Sequence, residues 1–65
     1  MTNNMLDAIM TTVSMVRGAY TWNEALSYAE VTYGLDEFET EDLRVHARNQ
    51  YNRLEAQTNG KRIKL

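Results

Sequence analysis

The chain has 65 residues, 43% of them hydrophobic and 25% charged, with a net charge of -2 and neither cysteine nor proline. This composition is ordinary for one globular domain, and the missing cysteines exclude a disulfide framework and a thiolate zinc site while fitting a reducing, cytoplasmic setting. No apolar run approaches the roughly 18 to 20 residues of a membrane span, and the stretch after MTNN is broken by Asp7, so neither a membrane partner nor a secretory signal is expected.

The absence of proline points to continuous helix. The predicted fold is all-α: a compact three-helix domain over residues 1–60, with helices at about 5–17, 22–33 and 40–58, followed by a short basic tail at 61–65. A domain this small buries only about 60% of its unfolded surface. With no disulfide or metal to help, stability rests on helix packing or on a partner, which keeps a homo-oligomer in view.

The first helix is expected from Met5 to Arg17, capped by Asn4, with Asp7 near its positive end. Met5, Leu6, Ile9, Met10, Val13 and Val16 recur at three- and four-residue steps and make one apolar face. Gly18 is the expected stop, as the residue that enters the left-handed conformation without steric cost.

The second helix has the clearest start. Thr21-Trp22-Asn23-Glu24 is a capping box, in which the threonine hydroxyl accepts from the Glu24 amide and the glutamate reaches back. Trp22, Ala25, Leu26, Ala29 and Tyr33 share a face, Gly34 ends the helix, and Leu35 is placed to fold back onto its last turn.

The third helix begins between Glu37 and Glu41, with Asp36 and Thr40 both able to cap it. DEFETED, residues 36–42, loads carboxylates at that positive end. Leu43, Ala47, Tyr51 and Leu54 form the inward stripe, and Asn59-Gly60 is the expected stop.

Charge is segregated along the chain. Residues 1–42 hold eight acids and one base for a net of -7; residues 43–65 hold six bases and one acid for a net of +5. Such a pattern produces an oriented field that steers one partner or docks one copy against another, although helix dipoles alone also favour acids first and bases last.

RVHARNQYNR, residues 44–53, concentrates the basic and amide side chains. With Leu43 at zero and about 100° per residue, the apolar stripe lies between about 0 and 80°, leaving an outward arc of basic and amide groups. Arg44, Arg48, Asn49, Asn52 and Arg53, followed by Lys61, Arg62 and Lys64, form a candidate surface for a protein partner or a nucleic acid. Arginine and asparagine read guanine and adenine edges in a major groove, and a basic third helix is similar in layout to trihelical DNA-binding arrangements. Against this stand a sequence pI near 5.2, the acids at the start of the same helix, and Ala29 and Gly34 spaced five apart where a helix-turn-helix has four. Arginine and tyrosine equally form the energetic centres of protein interfaces. Tyr28 and Val31, beside the second helix's stripe, with Asp36, Glu37, Glu39 and Glu41, form a second candidate protein-contact surface.

Chemistry lacks a constellation. His46 is the single histidine, with Asp42 one turn before it, and no nucleophile motif accompanies it. There is no zinc spacing, calcium loop or glycine-rich phosphate cradle, so no metal, cofactor or enzymatic activity is expected. The functional expectation is a small regulator or inhibitor, of the kind phages and mobile elements make, that docks on a larger protein; the alternative is a DNA- or RNA-binding regulator reading through its third helix.

Overall fold

The computed structural model describes the backbone of residues 3–63 and the side chains of residues 4–57. Three helices follow one another: α1, Asn3–Arg17; α2, Trp22–Tyr33; and α3, Glu37–Ile63. The all-α three-helix architecture expected from the sequence is the one observed.

Helix α1 lies between its neighbours and packs against both. Along it Met5, Ala8, Ile9, Thr12 and Val13 are buried, joined by Ala25, Leu26 and Ala29 of α2, Leu35 of the second connection, and Leu43 and Ala47 of α3. Four alanines in this interior, Ala8, Ala25, Ala29 and Ala47, are wholly inaccessible. Their small side chains let the helix backbones approach closely, so the core gains contact area without large residues. Trp22, Tyr33, Tyr51 and Leu54 close its edges, half-buried. Thr11 and the Tyr33 hydroxyl, 2.7 Å apart, share a hydrogen bond that ties α1 to α2.

The turn after α1 departs from expectation. Gly18 does not carry the left-handed residue; Ala19 does, at φ 81°. The Tyr20 amide donates to the Met15 carbonyl at 3.0 Å and the Ala19 amide to the Val16 carbonyl at 3.2 Å, the paired bonds of a Schellman cap. The motif is placed one residue later than the glycine, because α1 keeps its register through Arg17 and Gly18 still bonds back to the Ser14 carbonyl. Asn4, expected as the cap, lies inside the first turn of α1.

Helix α2 follows its prediction at both ends. The Glu24 amide donates to the Thr21 hydroxyl oxygen at 3.1 Å, and the Thr21 amide donates to the Glu24 carboxylate at 2.9 Å. Gly34 sits at φ 65°, the Leu35 amide donates to the Glu30 carbonyl, and Leu35 is buried against the core.

Helix α3 starts at Glu37, the early limit of the expected range, and runs past the expected stop. Asp36 is the cap: its carboxylate accepts from the Glu39 amide at 2.8 Å while the Glu39 carboxylate accepts from the Asp36 amide at 3.0 Å. This is the same reciprocal arrangement as Thr21 and Glu24. Thr40 lies in the first turn instead, its single hydroxyl proton shared between the Asp36 carbonyl at 2.8 Å and the Glu30 carboxylate, across on α2, at 3.0 Å. At the other end the helix runs through Asn59-Gly60 to Ile63, so residues 61–63 of the expected tail are helical and Lys64 lies outside the described residues. Glycine inside a helix costs only about 1 kcal/mol relative to alanine; it ends the helix only where the next turn adopts another conformation. The 27 residues of α3 span about 40 Å at 1.5 Å per residue, which accounts for the 44 Å long axis of the molecule. It outruns α1 and so leaves part of its own surface uncovered.

Candidate protein-docking surface

The outward side of α3 carries the predicted basic and amide groups. Arg44, Arg48, Asn49, Asn52 and Arg53 are all exposed there. Two of these arginines have partners within the chain. The Arg44 guanidinium donates to the Glu41 carboxylate at 3.0 Å, one turn away, with both side chains more than half exposed. Such a pair is worth at most about 1 kcal/mol and is easily exchanged for another. Arg48 lies over the Trp22 ring at 5.4 Å from its centroid, and that ring meets Tyr51 edge-on at 5.6 Å. Arg48 therefore braces α3 against the start of α2. Arg53, by contrast, makes no ion pair among the described residues. The side chains of Lys61 and Arg62, like Lys64, lie outside the described residues.

The second predicted surface is divided. Tyr28 and Val31 are exposed on α2, at 52% and 82%. Asp36 and Glu39 are held in the α3 cap and Glu41 pairs with Arg44, leaving Glu37 as the acid of that set with no such contact among the described residues. Capping also affects Glu24, the acid in the first turn of α2. The Thr21 backbone amide, and then its hydroxyl, hold the Glu24 carboxyl below the ordinary glutamate range.

The exposed apolar surface extends beyond Tyr28 and Val31 to part of the stripe expected to face inward on α1. Leu6 and Met10, counted there on the inward face of the first helix, stand 48% and 68% exposed. The six-residue stripe from Met5 to Val16 spans about 140° of the helix, wider than two slender neighbours can cover. Periodicity locates the centre of such a stripe but not which edge remains outside.

Met10 forms a ridge between two grooves. On the α2 side, a groove of about 580 Å³ is lined by Met10, Thr11, Ser14, Met15, Tyr20 and Tyr28. On the α3 side, one of about 380 Å³ has Leu6, Ile9 and Met10 as its floor and His46, Asn49, Gln50 and Arg53 as its wall. The first is mainly apolar and aromatic; the second pairs an apolar floor with a basic and amide wall.

Phe38, like Tyr20 and Met15 of the first groove, is not among the candidates that the sequence offered. In the first turn of α3, it is 82% exposed. Its position on the wheel, about 220° from Leu43, was the available signal. Among the described residues no cluster of three or more histidines or carboxylates could hold a metal ion, and no helix is long and apolar enough to cross a membrane. Comparison with known proteins gives no match among family models, curated proteins or solved structures.

Proposed function

We propose that the chain is a protein-docking domain that regulates or inhibits a larger protein by covering part of its surface. The observation that carries this reading is the Met10–Tyr20–Tyr28 groove, an apolar recess of about 580 Å³ on a domain of 65 residues. Exposed apolar patches rimmed by polar groups mark interaction sites. Tyrosine contributes large area at low entropic cost, and flexible methionines adapt to an incoming side chain. The occupant is an apolar side chain of the partner, inserted between Tyr20 and Tyr28. The segregated charge of the chain orients the approach and sets the association rate more than the affinity.

The test is photo-cross-linking through a reactive residue placed at Tyr28, followed by titration with the purified captured protein. Tyr28→Ala and Met10→Ala are expected to weaken that binding at least about tenfold, the scale of a central interface residue, while Val31→Ala leaves it unchanged. Binding that survives both groove substitutions overturns the reading.

Nucleic-acid recognition through α3 draws on Arg53, Asn49 and Asn52, which are exposed, but Arg44 and Arg48 are engaged within the chain. Titration with duplex DNA at low salt separates the two readings, because phosphate-driven binding weakens log-linearly as salt rises.

A further inference from the structure

We propose that two copies of this chain pair antiparallel along α3, with Phe38 of each seated in the groove that Leu6, Met10, His46 and Arg53 form in the other. Met10 borders both grooves, but the pairing covers only its α3 side and leaves the Tyr20–Tyr28 groove open, so Tyr28→Ala, which touches only the latter, separates the two proposals.

Three observations carry it. Phe38 is a large aromatic side chain left 82% exposed, and it is surrounded in sequence by Glu37, Glu39, Glu41 and Asp42. The groove on the α3 side of Met10 has the complementary character, an apolar floor beside His46 and Arg53 with no carboxylate in its lining. Arg53 makes no ion pair among the described residues, so its charge is available.

The third observation is geometric. At about 100° per residue, Phe38, Asp42, Asn49, Arg53 and His46 fall within an arc of about 80° on α3. One face thus carries an acidic, aromatic knob near its start and a basic-walled hole about 18 Å further along. A second copy lying parallel would set acid against acid. Laid antiparallel about a two-fold axis that crosses this face at the level of residue 44, each Phe38 comes level with Gln50 of the second copy, and each Asp42 with its His46. Arg53 comes level with the carboxylates that open α3. Both knobs meet both holes, which closes the assembly at two. The net charges of -7 and +5 on the two parts of the chain add to the attraction in this orientation and oppose the other.

Sedimentation velocity over a hundredfold dilution tests the pairing. The expected result is a monomer–dimer equilibrium that shifts to monomer at high salt. Phe38→Asp is expected to be monomeric throughout, with its helical circular dichroism at low concentration unchanged, because the ring touches no core. Asp42→Lys is expected to dissociate the dimer, and Asp42→Lys with His46→Asp to restore it. The chain has no native cysteine, so Phe38→Cys and Leu6→Cys chains can be mixed and oxidised. A disulfide between the two variants is expected, and none between Val31→Cys and Leu6→Cys chains. A chain that is monomeric at every concentration overturns the proposal. So does a Phe38→Asp variant that dimerises as the wild type does, since another face would then be responsible.

Discussion

The guanidinium of Arg48 lies over the ring of Trp22, joining the middle of α3 to the first turn of α2. These two helices otherwise touch little, since α1 separates them along most of their length. A cation over an indole face at a partly exposed site stabilises by about 0.5–1 kcal/mol. Arg48→Ala is expected to destabilise the fold by that amount in urea denaturation, and Arg48→Ala in a Trp22→Phe background by less. Equal losses in both backgrounds would mean that the arginine acts through some other contact.

Thr12 is wholly buried on α1, and its hydroxyl oxygen has no hydrogen-bond partner among the described residues. An unsatisfied buried hydroxyl costs about 1–3 kcal/mol, and valine has nearly the same shape without it. Thr12→Val is therefore expected to stabilise the protein by about 1 kcal/mol, read as a higher denaturation midpoint at unchanged slope. A loss of stability would show that the hydroxyl is satisfied in solution.

The helix ends and the surface side chains differ in how far the sequence disclosed them. The Thr21–Glu24 box and the Gly34–Leu35 ending were legible because each is made by neighbours a few residues apart, so spacing alone contains the geometry. The Asp36–Glu39 cap has the same spacing, but Thr40 offered an equally good local solution, and only the chain's path from α2 selects between them. Arg48 looked like a free cation because its partner belongs to another helix. Leu6 and Met10 looked like core because periodicity reports that a face is apolar, not how much of it two small neighbours cover. Phe38 was overlooked among carboxylates whose own roles, capping and pairing, are local.

Ala19 occupies the left-handed position that ends α1, at φ 81°. The left-handed conformation costs a side-chain-bearing residue about 1–2 kcal/mol, partly offset by the extra freedom glycine has when unfolded. Ala19→Gly is expected to raise stability by about 0.5–1 kcal/mol. The reverse change at the matching position of α2, Gly34→Ala, meets no side chain but inherits the strain of φ 65°, and is expected to lower stability by a similar amount. Thermal melts of the two variants should move in opposite directions.

Glu24 provides the pH dependence that the hydrogen bonds support. Its carboxyl is held below the ordinary glutamate range, first by the Thr21 amide and then by the Thr21 hydroxyl. A carboxyl whose folded value lies below its unfolded value stabilises the fold in its ionised form. That contribution is complete above the unfolded value and is lost as pH falls through the folded one. Glu24→Gln removes the charge but keeps an oxygen able to accept from the Thr21 amide. The variant is therefore expected to melt lower than the wild type at neutral pH, with the difference shrinking as both are acidified below the glutamate range. Every other titratable group is common to the two proteins, so the comparison isolates Glu24. A difference that stays constant down to strongly acidic pH would assign the effect to the shape of the side chain, and not to its charge at the start of α2.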